Sequence, residues 1–191
     1  MREKQIVLAG GCFWGMEKLY SGLPGVLEAT VGYANGDTEA NARYETVCTG
    51  LTGFREALLL RYDPERISLR RLLFLFFAVI DPSQFHRQGM DIGAQYQTGV
   101  YWSDPETEAI VNEVAAMEAV ARREFYVERE PLRCFYPAEE YHQRYLEKNP
   151  DGYCHIAPGK IAALRRYPYE EAAYTRPAAQ LLAAYRGQTE G

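Results

Sequence analysis

The stretch Ile6-Val7-Leu8-Ala9-Gly10-Gly11-Cys12-Phe13-Trp14-Gly15-Met16-Glu17-Lys18-Leu19-Tyr20 sets how the fold begins. Its four apolar residues, Ile6 to Ala9, read as a strand, two glycines interrupt it, and Met16 to Tyr20 reads as the opening of a helix. Cys12 therefore stands at a strand-to-helix junction. Free N–H groups and the positive end of the helix dipole favour a thiolate over a thiol there. Gly10 and Gly11 let the backbone turn tightly and leave the sulfur accessible. Phe13 and Trp14 can wall an apolar pocket beside it. Such a site suits chemistry on a partly apolar group that carries an electrophilic atom. The same residues also fit a buried cysteine that merely packs, and spacing alone does not separate the two.

Outward from this run, the pattern predicts a helix over 12–21, a turn at Leu23-Pro24-Gly25 and a strand over 26–33. An irregular stretch containing Asn35-Gly36-Asp37 leads to a strand over 55–62, which Asp63-Pro64 ends. Ser68 reads as the N-cap of a helix running to Ile80, and 81–95 reads as a long loop. A strand over 97–102 follows. Ser103 or Asp104 then caps a long helix to Arg123, with Pro105 in its first turn. A strand near 126–131 and a short helix near 138–148 complete the core. The order strand-helix-strand-strand-helix-strand is that of a ferredoxin-like split βαβ unit, so the expected class is α+β in a single domain. Beyond 157 no motif is found; Ala178 to Tyr185 spells a short helix, and Gly187 to Gly191 is expected to fray.

The 191 residues suffice for one domain with a substantial core, and 47% hydrophobic residues exclude a wholly disordered chain. A net charge of −5 argues against a nucleic-acid partner, which needs a basic face. The longest apolar run, Leu72 to Ile80, is too short to span a bilayer, and no secretory apolar segment opens the chain. The four cysteines, at 12, 48, 134 and 154, form no Cys-x-x-Cys pair, which argues against zinc and against a secreted disulfide scaffold. The cytoplasm is the expected compartment. Cys48 and Cys134 read as small buried hydrophobes.

Glu56 is the second residue of chemical interest. Alternation along 55–62 puts Phe54, Glu56, Leu58, Leu60 and Tyr62 on one face. A carboxyl on that apolar face would be desolvated, hold its proton near neutral pH and serve as an acid. A strand-end glutamate in solvent, or paired with an arginine, is the alternative. Asp91 can be a turn former in the Gly-rich loop 89–93. Cys154 lies in a loop rich in glycine and proline that could carry its thiol to a distant site.

Gly10-Gly11-Cys12-Phe13-Trp14-Gly15 with Glu17 resembles the signature of the peptide methionine sulfoxide reductase A family. Gly32-Tyr33-Ala34-Asn35-Gly36, Tyr44 to Gly50 with Thr52 to Glu56, and Asp81-Pro82 with Arg87 to Tyr96 resemble its following blocks. Ala138 to Gln143 and Asn149 to Cys154 resemble the last two. The blocks keep family order from about residue 5 to about 156, so the resemblance implies a catalytic domain over 1–156 and a tail over 157–191. It implies reduction of the S-epimer of methionine sulfoxide, free or in proteins, on an α+β roll. Cys12 is then the nucleophile, Glu56 the acid, and Tyr44 and Tyr96 the donors to the sulfoxide oxygen. Phe13 and Trp14 would hold the S-methyl, with Asp91 and Tyr153 at the rim. Cys154 would be the resolving cysteine, thioredoxin the reductant, and no metal or organic cofactor would be needed. His142 matches a family histidine but reads equally as structural, and Glu17 reads as structural. Phe54, Ile80 and Met90 depart from the family pattern. Two other classes remain to be weighed: a cysteine acyl-transfer enzyme, although His86, His142 and His155 lack a recognisable triad context, and a redox sensor switching through Cys12 and Cys154.

Overall fold

The computed structural model describes residues 3–120 and 122–189. Strand β1 (Lys4–Ala9) lies inside a six-stranded mixed sheet. It pairs antiparallel with β3 (Arg55–Tyr62) on one side and with β6 (Gly99–Trp102) on the other. Being central, β1 buries both faces. Ile6 and Leu8 join the main core, whereas Val7 and Ala9 join a second small cluster with Ala34, Ala57 and Tyr101 on the opposite face. That explains a continuous apolar run in place of strict alternation. β2 (Val26–Ala34) pairs antiparallel with β3, and with β8 (Phe135–Pro137) at the edge. β7 (Glu128–Pro131) runs parallel to β6 at the other edge. The order β6-β1-β3-β2 within the sheet is that of the split βαβ unit, and the α+β expectation holds.

Helices α1 (Phe13–Tyr20), α3 (Leu69–Val79) and α4 (Pro105–Ala119) supply the large apolar residues of the main core. Their starts follow from local chemistry. Ser68 Oγ accepts from Arg71 N at 3.1 Å, and Asp104 Oδ1 accepts from Thr107 N at 2.9 Å. Of the two candidate caps, Asp104 is the one used. The helix ends at Ala119, short of Arg123, and residue 121 lies outside the described residues.

Other boundaries depart from the sequence reading. The helix expected over 138–148 is two pieces, a 3-10 turn at Glu140–His142 and α5 (Tyr145–Lys148). Arg144 separates them with a left-handed backbone (φ 54°), its N–H donating to the buried Glu17 carboxylate at 2.9 Å. Unforeseen elements are α2 (Tyr44–Val47), a two-stranded ribbon of β4 (Arg87–Gln88) and β5 (Asp91–Ile92), β8, and α6 (Pro158–Arg166). α7 (Ala178–Thr189) runs past the expected end at Tyr185, so the predicted fraying of 187–191 does not begin at Gly187; 190–191 lie outside the described residues.

The tail packs onto the core. Phe74 meets the rings of Tyr167, Tyr169 and Tyr174, with centroids 4.8, 5.3 and 5.2 Å away. Glu118, fully buried, accepts from Tyr174 Oη at 2.7 Å and from Ala178 N at 2.8 Å, tying the start of α7 to α4.

Candidate active site

Register brings the acid to the cysteine. In the β1–β3 ladder Leu8 faces Leu58, and two residues further on stand Gly10 and Glu56, at the mouth of the turn that holds Cys12. Gly11 makes that turn with φ +85°; a Cβ there would lie 2.6 Å from the Gln88 Cβ, so the close approach of the β4 ribbon requires glycine. Glu56 is 2% exposed, and its Oε2 accepts from Phe13 N at the start of α1, at 3.2 Å. Burial, with Asp91 and Glu139 nearby, pushes its carboxyl up to about 8 despite that hydrogen bond. Glu56 is thus a neutral acid at pH 7, and the solvent-exposed alternative is ruled out.

Cys12 departs from its expectation. It is 6% exposed, and burial together with the Glu56 carboxyl drives its thiol well above the ordinary cysteine range. The amides of Trp14 and Gly15 pull the other way, but no hydrogen bond to the Cys12 side chain caps the helix. Desolvation outweighs the end of an eight-residue helix, so the resting site holds a thiol.

Cys12, Phe13, Trp14, Tyr44, Glu56, Asp91, Tyr96 and Tyr153 line one pocket of about 200 Å³. The site residues named from the sequence therefore converge, with Cys154 alone outside this lining. A larger cleft of about 350 Å³ lies between α1, α5 and α6, but no cysteine lines it. Tyr96 and Tyr44 stay protonated; burial raises both hydroxyls, that of Tyr44 to about 12. Tyr153 donates from Oη to Asp91 Oδ2 at 3.0 Å, closing one side of the mouth.

The apolar wall is fixed by residues that sequence reasoning did not assign. Trp14 Nε1 donates to His142 Nδ1 at 3.1 Å, and its ring stacks on Tyr145 with centroids 3.8 Å apart. Because Nδ1 accepts, the neutral His142 carries its proton on Nε2; burial depresses its pKa, consistent with the neutral form. Glu139 accepts from Tyr44 N at 3.0 Å and from Tyr33 Oη at 3.2 Å, and lies 3.5 Å from His142 Nε2. Tyr33 itself pairs with Glu56 across β2–β3. The only sequence signal for Tyr33, Glu139 and His142 was their membership of the quoted blocks, and Tyr145 carried none.

Cys48 is exposed and faces the Tyr44 hydroxyl, and Cys134 is half-buried, so neither is the buried hydrophobe expected. Cys48 follows directly on the one-turn helix α2, whose first residue, Tyr44, lines the pocket. Cys154 Sγ donates to Ile156 O at 3.1 Å and lies beside the Cα of Gly15, one turn along α1 from Cys12. Of the departures from the family pattern, Phe54 and Ile80 are buried in the core and Met90 is 84% exposed. No group of three or more His, Cys, Asp or Glu side chains among the described residues could hold a metal.

The sequence signature of the family described as Peptide methionine sulfoxide reductase matches residues 4–172. Peptide methionine sulfoxide reductase MsrA of Clostridium perfringens is 49% identical over 154 residues, spanning 80% of this chain and 98% of that protein. Its Clostridium botulinum counterpart is 50% identical over the same length, with the same shares covered. Mxr1 from Saccharomyces cerevisiae in reduced form superposes with a TM-score of 0.77 at 36% identity, covering 82% of this chain and 92% of that one. Methionine sulfoxide reductase A of Corynebacterium diphtheriae gives 0.71 at 37%, covering 80% and 77%. A further solved structure holds Mxr1 in complex with Trx2, with a TM-score of 0.54 at 26% identity, covering 75% and 85%. A cysteine and a neutral buried acid sharing one small aromatic-walled pocket, in a chain matched over this much of its length, make the protein a member of the peptide methionine sulfoxide reductase family.

Proposed function

We propose that Cys12, Glu56, Tyr44 and Tyr96 reduce the S-epimer of methionine sulfoxide, and that Cys154 and thioredoxin return Cys12 to the thiol. The observation that carries this reading is a protonated carboxyl lining the same 200 Å³ pocket as the Cys12 sulfur. The sulfoxide methyl rests on Phe13 and Trp14, and its oxygen accepts from the Glu56 carboxyl and the Tyr44 and Tyr96 hydroxyls. With methyl and oxygen fixed, and the rest of the side chain leaving past Asp91 and Tyr153, only one hand at sulfur faces Cys12. The family resemblance makes that hand S.

Hydrogen bonding to the oxygen polarises the sulfoxide and leaves the sulfur electrophilic beside Cys12. Cys12 Sγ attacks that sulfur. Glu56 gives its proton to the oxygen and takes the Cys12 thiol proton. The new Cys12–methionine S–S bond and the methionine S–O bond then break as the hydroxyl passes to Cys12 Sγ and forms its S–O bond there; the sulfide departs and Cys12 is left as sulfenic acid. Methionine sulfur gains two electrons and Cys12 loses two. Cys154 then attacks Cys12, water leaves, and a disulfide forms for thioredoxin to reduce by thiol exchange. Support for thioredoxin comes from the Mxr1–Trx2 complex. The cycle uses no cofactor beyond this reductant, and thioredoxin recycling suits the cytoplasm. Among the described residues, no helix is long and apolar enough to cross a membrane. The chemistry belongs to 1–156, with 157–191 packed as a tail.

Single turnover of Cys154→Ser tests the scheme: it should release one equivalent of methionine per site and stall as Cys12 sulfenic acid. Oxidised wild type should carry a Cys12–Cys154 disulfide with Cys48 and Cys134 free. A Cys12–Cys48 link, or normal thioredoxin-supported cycling of Cys154→Ser, would sink the resolving role.

A further inference from the structure

His155 follows Cys154 directly, and its ring lies against the glycines around Cys12. Its Nε2 is 3.0 Å from Gly10 O. A carbonyl only accepts, so Nε2 carries the hydrogen and the neutral ring leaves Nδ1 as a bare lone pair. Nδ1 is buried and has no hydrogen-bond partner. It faces the Cα of Gly15, where a Cβ would lie 2.8 Å from Nδ1 and 3.2 Å from Cys154 Sγ. The absent side chain of Gly15 thus leaves a space bordered by both a free base and the thiol next to it in sequence, which at rest donates to Ile156 O at 3.1 Å and has to turn from it to reach Nδ1. Buried polar atoms without partners are rare, and one beside a reacting sulfur calls for an account.

We propose that His155 Nδ1 is the base that takes the proton from Cys154 when it attacks the Cys12 sulfenic acid. The proposal rests on the resolving role of Cys154 given above. An attacking thiol must first become a thiolate. In the resolving step the Cys154 S–H and Cys12 S–O bonds break and the S–S bond forms. The Cys154 proton goes to Nδ1. The sulfenic oxygen leaves as water with a proton from Glu56, which is reprotonated from solvent. Formally one electron passes from the Cys154 sulfur to the Cys12 sulfur, both end at the disulfide level, and no external oxidant is consumed. The imidazolium then releases its proton through a cavity of about 220 Å³, lined by His155, Lys160, Gln88 and Asp81. The groups that bear on the ring are consistent with a base that is free at neutral pH. Burial and the Lys160 ammonium hold His155 below its ordinary value, while Asp91 and the bond to Gly10 O oppose them. Asp81 is the other charged group on the cavity wall.

His155→Gln tests this directly, since the amide can still donate to Gly10 O but cannot act as a base. In a rapid-mixing experiment with one equivalent of methionine sulfoxide per site, methionine release and disulfide formation are followed separately. The ratio of the disulfide rate to the release rate should fall by about 10²-fold at neutral pH, the lower range for general base catalysis. The wild-type disulfide rate should level off above the His155 titration, whereas the variant's should keep climbing with pH. His155→Ala should show the same defect, partly restored by added imidazole, which the open cavity can admit. An unchanged rate ratio and pH profile in His155→Gln, or failure of imidazole to restore the disulfide step in a folded His155→Ala, would overturn the proposal. If the wild type forms no Cys12–Cys154 disulfide at all, the resolving role of Cys154 fails instead.

Discussion

Glu56 keeps its proton because its carboxyl is buried with two other carboxylates nearby and a single amide donor. Its acid form is lost as pH rises through about 8, so the first reduction step should slow above that pH in single-turnover assays. Glu56→Gln has no proton to give, and its methionine-release rate should fall roughly 10²–10⁴-fold. The same substitution should stabilise the fold at alkaline pH. The folded carboxyl titrates near 8 against an ordinary 4.5, so the native state binds the extra proton between those values. Its stabilising contribution is complete below 4.5 and is lost as pH climbs to 8. The melting temperature of Glu56→Gln relative to wild type should therefore rise across that window; a pH-independent difference would refute the buried-acid description. Cys12→Ser should abolish sulfoxide reduction with little change in melting temperature, because a hydroxyl cannot replace the thiol as nucleophile.

In the proposed scheme the nucleophile stands at the start of helix α1, and Cys154 and His155 lie against Gly15 one turn later. Gly15→Ala would place a methyl against the His155 ring and Cys154 Sγ, pushing the 152–156 segment away from α1. The expected result is a normal methionine burst with disulfide formation slowed at least tenfold; equal slowing of both steps would show that α1 itself had shifted. At the start of α4, Asp104 caps Thr107 through both backbone and side chain. Asp104→Ala should cost about 1 kcal/mol in urea unfolding and leave turnover untouched, since α4 contributes nothing to the pocket.

Across the whole molecule, the tail completes the core. Phe74 loses three aromatic neighbours if 157–191 is removed, and the buried Glu118 loses both its donors. Each aromatic pair contributes roughly 0.5–1.5 kcal/mol beyond its buried area. An orphaned buried carboxyl costs about 1–3 kcal/mol. Truncation after Ile156 should accordingly lower the urea midpoint sharply. Tyr174→Phe, which removes one donor and keeps the ring, should reproduce about 1 kcal/mol of that loss.

The sequence by itself determined the split βαβ order, because each of its elements is written locally. The apolar run of Ile6 to Ala9, the alternation of 55–62 and the polar caps before α3 and α4 need no distant partner to be read. It also singled out Cys12 and Glu56, one by its glycine-flanked junction and the other by a charge on an apolar face. Only the tertiary structure decided between the two readings of Glu56 and overturned the thiolate expected at Cys12. The helix end favours a thiolate, but desolvation by the surrounding core and the nearby Glu56 carboxyl reverses that preference, and neither is local in sequence. The short elements were illegible for the same reason. β8, the β4–β5 ribbon and the left-handed break at Arg144 are held by pairing with β2, by each other and by Glu17, not by any periodicity of their own. Cys48 read as buried from its apolar character, yet it lies exposed just beyond the one-turn helix α2.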